Sequence, residues 1–248
     1  MKKVLAAISI LIVLSSCASP GNLIKNINPI KVEKNVLTNL PGTNGPLLAV
    51  KIDDTNAAHP QVGLNSADVI YIEQVEGGLT RLAAIFSSQI PTHIGPVRSA
   101  RISDIELLEQ YGRVAFAYSG AQKKMRPVID AANLEDLGAQ NHSSTIYTTD
   151  PNRIQPYAMV LRADLLMQYV KDKEIAIESS QSMGWSFGDA PSGGVAIESA
   201  HLSWPASSYD AHWSETEKRW LLDHSYAPDI ADSAFLACPD ISSTRACR

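Results

Sequence analysis

The sequence predicts an α+β fold: a mixed α/β N-terminal domain whose sheet contains a β-hairpin flanked by helices, followed by a strand-rich, incomplete C-terminal domain. Three observations predict it. Short β-branched or apolar runs near residues 47–52, 69–76, 79–86 and 114–118 are bounded by turn formers, as strands are. Stretches with helix start signals and helical periodicity lie between and after those runs. Beyond Ser186 the helical pattern gives way to strands alone.

Taken in order, Leu47-Leu48-Ala49-Val50-Lys51-Ile52 opens the folded part as a strand, and a polar, proline-containing loop follows from Asp53 to Gln61. The runs Val69 to Glu76 and Leu79 to Phe86 flank Gly77-Gly78, which predicts a two-residue hairpin because both central positions of so tight a turn take positive φ. That register sets Gln74 opposite Arg81 and Glu76 opposite Leu79 on one face, with Glu73 opposite Leu82 on the other; Glu76 and Arg81 become diagonal neighbours. Pro91, Gly95 and Pro96 lead into Arg98-Ser99-Ala100-Arg101, and Ser103 with Glu106 fits a capping box that starts a helix to about Tyr111. Val114 to Tyr118 reads as a strand, Ala121 to Ala131 and Met159 to Val170 as helices. Gly194 to Trp204 reads as a strand again, and Trp213 and Trp220 flank a charged turn from Ser214 to Lys218. Gly184, Gly188, Pro191, Gly193 and Gly194 crowd together at a boundary between the two domains.

The N-terminus carries a different signal. Lys2 and Lys3 precede a mostly apolar run from Val4 to Leu14, eleven residues, against the roughly 20 that a spanning helix needs. This is an export leader, and Leu14-Ser15-Ser16-Cys17 is the pattern of a bacterial lipoprotein signal. Residues 1–16 are then a signal peptide, 17–44 a lipid-anchored linker rich in turn formers, 45–185 the N-terminal domain and 186–248 the partial C-terminal domain. Acyl chains of the palmitate class on Cys17 contribute about 0.8 kcal/mol per buried CH₂, enough in pairs to hold a soluble body at a membrane. The expected location is the extracytoplasmic face of the cell membrane. Cys238 and Cys247 are close together near the C-terminus, and their pairing stays open.

Charge excludes one class of partner. With 21 basic and 26 acidic residues and a net charge of −5, no basic stripe is available to neutralise a phosphate backbone, so nucleic acid is not an expected partner. The histidines, His59, His93, His142, His201, His212 and His224, show neither HxH nor HExxH spacing, and no CxxC is present, so no metal and no cofactor is expected.

The densest polar set is Glu73, Glu76, Thr80, Arg81, Arg98, Ser99 and Arg101. Guanidinium forks beside a helix N-terminus suit an anion, because several N–H donors converge on the same oxygens. The competing structural role has Arg81 and Arg98 pair with Glu73, Glu76 and Asp104 to tie hairpin to helix. Glu73 and Glu76 also raise acid/base cleavage of a glycan, but residues three apart on a strand face opposite ways. Ala117-Tyr118-Ser119-Gly120-Ala121 partly imitates a nucleophile elbow, for which His142 or His201 with Asp150 would complete a triad; Ser119 as a turn residue is the plainer reading. Trp185, Trp204, Trp213 and Trp220 could stack on sugars or fill the core.

The ordered series Leu48-Ala49-Val50-Lys51-Ile52-Asp53, His59-Pro60-Gln61-Val62-Gly63-Leu64, Ala67-Asp68, Glu73-x-x-Glu76-Gly77-Gly78-x-Thr80-Arg81 and Gly95-Pro96-Val97-Arg98-Ser99-Ala100-Arg101 resembles the YerB-like family of bacterial lipoproteins. The resemblance covers residues 46 to about 170. It implies an envelope lipoprotein of unestablished activity, with an α/β N-terminal and a strand-rich C-terminal domain. Where that family carries a Pro-His-Asn stretch, this chain has Pro156-Tyr157-Ala158. Tyr209 to Asp229 resembles the start of the second domain, whereas Ser233 to Arg248 does not continue it, so a truncated or frame-altered end is expected. The expected function is a binding or scaffolding module for an anionic envelope ligand, with Arg81, Arg98, Arg101, Ser99, Glu73 and Glu76 as ligand-binding candidates. The alternative is an envelope hydrolase using Glu73, Glu76 or Ser119. No protein partner is specified.

Overall fold

A computed structural model describes residues 32–188, 192–217 and 219–224. Cys17, Cys238 and Cys247, and the leader and C-terminal segment that contain them, lie outside the described residues. The fold is α+β. Its centre is a mixed sheet ordered β2-β3-β1-β5-β6, built from β1 (Leu48–Asp53), β2 (Val69–Gln74), β3 (Thr80–Phe86), β5 (Val114–Ala117) and β6 (Leu134–Asp136). β1 is antiparallel to β3 and parallel to β5. Every residue of β1 is buried, since both sheet faces are covered.

The alternation of side chains divides the core in two. Leu48, Val50 and Ile52 point into one cluster, with Leu82, Ala84 and Phe86 of β3 and Leu166 and Val170 of α3 (Ala163–Asp172). Ala49 and Ile85 point the other way, toward Leu108 of α1 (Ile102–Glu109) and Ile129 of α2 (Arg126–Ala131). Two three-stranded sheets complete the architecture of the described residues. One, ordered β4-β8-β7, joins β4 (His93–Ile94), β7 (Tyr147–Thr149) and β8 (Met159–Arg162). The other, ordered β11-β10-β9, joins β9 (Ser199–Trp204), β10 (Ser207–Ser214) and β11 (Arg219–His224), and its Tyr209, Ala211, Trp220 and Leu222 belong to the first core cluster. Trp213 and Trp220 face each other across β10 and β11, as the aromatic-flanked turn predicts. Trp220 is therefore a core residue.

Residues before β1 also pack. Leu37 and Asn35 are fully buried, and Lys34 bridges to Pro41.

Five local expectations are corrected. The hairpin pairs Glu73 with Arg81 and Gln74 with Thr80, one residue away from the two-residue register. Val75 N–H bonds the Leu79 carbonyl at 2.8 Å around a three-residue loop, with Gly77 and Gly78 at φ of 73° and 75°. A one-residue slip exchanges the faces of every side chain, so Glu73 and Arg81 share a face instead of opposing. The loop is also pinned from outside: a Cβ at Gly78 would lie 2.6 Å from Pro205, and Ala206 N–H donates to the Gly78 carbonyl at 3.0 Å.

Secondly, α1 begins at Ile102, not after Ser103. Its N3 residue Asp104 reaches back to the Arg101 N–H at 2.5 Å, filling the role expected of Glu106. Thirdly, the run Met159 to Val170 is two elements, strand β8 and then α3, because Met159–Arg162 find partners in both β4 and β7. Lastly, Ala121 to Ala131 is helical only from Lys123, and the strand expected from Gly194 starts at Ser199.

Candidate functional site

The corrected register assembles the candidate residues on the α1 side of the sheet. Asp53, Arg81 and Glu73 form one cross-strand row over β1, β3 and β2, with Lys51 and Tyr71 in the next row. Beside it the segment after β4 runs along β1: Asp53 N–H donates to Pro96 O at 2.9 Å and Arg98 N–H to Lys51 O at 2.8 Å. These backbone bonds bring Arg98, Ser99 and Arg101 against the hairpin.

Two guanidiniums meet at the Ser99 carbonyl, with the charge of Arg98 close by. Arg81 Nη1 donates to it at 2.9 Å and Arg101 Nη1 at 3.2 Å. Arg101 also grips Glu76 Oε2 through Nε at 2.8 Å and Nη2 at 2.6 Å, which holds the Glu76 carboxyl below the usual carboxylate range. Arg98 lies against Asp53 Oδ2 as an ion pair and its guanidinium sits 5.7 Å from the centre of the Tyr157 ring. Arg81 differs from both. No carboxylate lies within ion-pair distance of it among the described residues. Burial, and then the charges of Arg101 and Arg98, push its pKa down to about 10 against the opposing pull of Asp53 and Glu76. Next to the cluster, Glu76, Arg101, Ile102, Gln122, Lys124 and Val128 line a cavity of about 340 Å³. Ile102 is 59% exposed there.

Glu73 belongs to a separate constellation. Lys51, whose side chain is fully buried, donates at 2.7 Å to both Glu73 Oε1 and Asp104 Oδ1, and Ser103 donates to Glu73 Oε2 at 2.5 Å. Asp104 thus pairs with Lys51 and not with an arginine, and Arg98 takes Asp53 in its place. Glu73 and Glu76 have different partners, but Glu76 lies in the loop beyond the end of β2, where the period of a strand does not apply.

Two carboxylates sharing one ammonium leave a negative charge in a dry site. Burial is the main cause that pushes Asp104 up to about 6; Lys51 opposes the rise and Glu73 adds to it. Against an ordinary carboxyl near 3.9, the folded-state pKa is raised. Asp104 therefore contributes stability that is complete below about pH 4 and is lost as pH rises through about 6. The expected result is that wild-type stability, measured by urea unfolding relative to Asp104→Asn, falls between pH 4 and 7. A difference that stays flat across that window would refute the assignment.

Ser119 has no base. Its hydroxyl lies 3.5 Å from the Ser99 hydroxyl, and among the described residues no histidine bonds it. His142 packs edge-on against Tyr169 at 5.1 Å, and His201 pairs with Asp210 at 2.6 Å on the surface.

One group escaped the sequence reading. Asp54, His59 and His224 place their donor atoms within 4.8 Å of one another on the opposite face of the same sheet end. Asp54 could be suspected as a polar residue just beyond a buried strand, but nothing in the spacing links it to His224.

The family model described as "Protein of unknown function (DUF3048) N-terminal domain" matches residues 37–176, more than half of the chain. A Bacillus subtilis (strain 168) protein named "Putative lipoprotein YerB" is 42% identical over 72 residues, 29% of this chain and 20% of that protein, so the match spans about a fifth of the relative. The crystal structure of YerB from Bacillus subtilis superposes with a TM-score of 0.62 at 19% identity, covering 79% of this chain and 68% of that one, a likeness of fold. The sheet, the hairpin and the arginine segment all lie inside the matched span, and on that basis the chain belongs to the YerB-like family that carries the DUF3048 N-terminal domain.

Proposed function

We propose that this protein is a lipoprotein tethered through acylated Cys17 to the outer side of a bacterial membrane, where it binds an anionic cell-envelope ligand at Arg81, Arg98 and Arg101. The observation that carries the binding reading is the unmatched Arg81. Arg81 and Arg101 converge on the Ser99 carbonyl with the charge of Arg98 beside them, while Asp53 pairs with Arg98 and Glu76 with Arg101, so an anion entering beside Arg81 relieves repulsion that the protein itself leaves standing. The adjoining cavity adds Lys124 and an apolar wall, which suits an anionic group on a larger polymer better than a bare ion. The leader, the Leu14-Ser15-Ser16-Cys17 motif and the lipoprotein name of the Bacillus relative support the tether. Location and ligand then agree, since envelope polymers rich in phosphate or carboxylate lie within reach of such an anchor.

Two measurements test this. Fatty-acid labelling of the wild type, abolished in Cys17→Ala, is the expected outcome for the anchor; equal labelling of both removes it. For the site, the full chain in detergent micelles binds teichoic-acid fragments saturably and releases no cleavage product. Arg81→Gln weakens that binding by at least about tenfold, as losing a charge-assisted bond of 1.5–3 kcal/mol implies. Unchanged binding would assign the three arginines to structure alone.

A further inference from the structure

Asp54 leaves the end of β1 on the face opposite the arginines, toward the β9 to β11 sheet. Its carboxylate is positioned by two hydroxyls: Tyr209 donates to Oδ1 and Thr80 to Oδ2. His59, in the loop after β1, brings Nε2 to 3.7 Å from Asp54 Oδ1. His224, the last residue of β11, stands beside them with its ring centre 4.8 Å from that of His59. Ser207 links the group, 2.9 Å from the Thr80 hydroxyl and 3.2 Å from His224 Nε2. Asp54 and His224 are buried and His59 is partly so.

We propose that Asp54, His59 and His224 are the protein ligands of one divalent transition-metal ion, with zinc the best match. Two imidazoles and one carboxylate are a borderline donor set that suits zinc and its first-row neighbours better than magnesium or calcium, which take oxygen alone. The donor atoms lie within 4.8 Å of one another, and tetrahedral zinc at about 2.0–2.1 Å from each ligand requires separations of roughly 3.4 Å. Small rotations of the His59 and His224 rings close that gap, and the Asp54 to His59 pair is already near it. Tyr209 and Thr80 orient the carboxylate as outer-sphere partners orient metal ligands elsewhere, and Ser207 does the same for His224. A cavity of about 280 Å³, lined by Asp54, Thr80, Ser207 and His224 among others, leaves room for a fourth, exchangeable ligand. Metal here fastens the end of β11 to the loop after β1, and so ties the C-terminal sheet to the central one. This site is independent of the arginine cluster and of the anion reading.

The test uses the full, untagged chain in detergent, stripped with chelator and titrated with Zn²⁺ by calorimetry and with Co²⁺ by absorption. The expected result is one tight equivalent of Zn²⁺, a raised melting temperature, and the visible band of four-coordinate Co²⁺ without thiolate charge transfer. His59→Ala and His224→Ala each weaken Zn²⁺ binding by at least about tenfold, the smaller end of what even outer-sphere changes do. His201→Ala, on the exposed face of β9, leaves it unchanged. Should His224→Ala fail to fold, His59→Ala, in a surface loop, decides alone. Tight binding that survives His59→Ala overturns the proposal. So does the absence of stoichiometric binding, or a Co²⁺ thiolate band that vanishes with Cys238→Ser or Cys247→Ser.

Discussion

Replacing Lys51 by Met is expected to lower the unfolding free energy by about 3–5 kcal/mol at pH 8, since it strips the cation that Glu73 and Asp104 share among the described residues. The Lys51 and Asp104 side chains are fully buried and that of Glu73 is 10% exposed, so water solvates the orphaned Asp104 charge only if the sheet and α1 separate. The cost depends on pH in a defined sense. Asp104 already sits near 6 with Lys51 present, and losing that attraction raises it further, so the variant escapes part of the penalty by binding a proton. Urea denaturation at pH 5 and pH 8 checks this: the deficit of Lys51→Met relative to wild type is expected to be smaller at pH 5. A second variant that also carries Asp104→Leu and Glu73→Gln removes the charges together and is expected to recover much of the loss, as apolar replacements of buried ion pairs do. Equal destabilisation at both pH values, or no recovery in the triple variant, would mean that packing of the Lys51 stem and not its charge holds the site.

The same residue shows what could and could not be read from the chain. Leu48-Ala49-Val50-Lys51-Ile52-Asp53 is legible as a strand because β-branched and apolar residues crowd into a short run. That its lysine faces inward is not legible, because the two carboxylates that permit burial come from β2 and α1. The hairpin was legible as a hairpin, whereas its register was not: Gly77-Gly78 suits a two-residue or a three-residue loop equally well. The choice is made at long range, where only the three-residue form puts Glu73 on the face of Lys51 and lets Gly78 meet the turn between β9 and β10. Met159 to Val170 failed for a related reason, since its apolar spacing is helical throughout and tertiary pairing with β4 and β7 overrides it for the first four residues. Of the candidate site, the arginines, Ser99 and Glu76 were found as a cluster because they are close in sequence on two short segments. Asp54, His59 and His224 were missed because their proximity is created entirely by docking of the C-terminal sheet.

Leu37→Ala is expected to cost about 2–5 kcal/mol, the range for a fully buried leucine cut to alanine with a cavity left behind. The residue lies before β1, in a stretch whose composition of Asn, Pro and Gly reads as tether. Its environment is that of a core: it packs with Leu47, Ala49 and Phe116, and its backbone N–H is held by the Asn35 side chain at 2.9 Å. Asn35 in turn donates to Thr43 O at 2.7 Å, and Asn44 accepts the Val36 N–H at 2.8 Å, so residues 35 to 44 form a small hydrogen-bonded lobe with Leu37 as its apolar anchor. For a chain of this size the loss corresponds to a fall in melting temperature of roughly 5–15 °C. Val32→Ala, at an exposed position five residues earlier, is the control and is expected to change the melting temperature by less than a degree or two, within the roughly 0.5 kcal/mol typical of surface sites. If both variants melt with wild type, residues 33–44 contribute nothing to the stability of the folded body. If only Leu37→Ala falls, residues 35–44 belong to the folded body and are held there by Leu37.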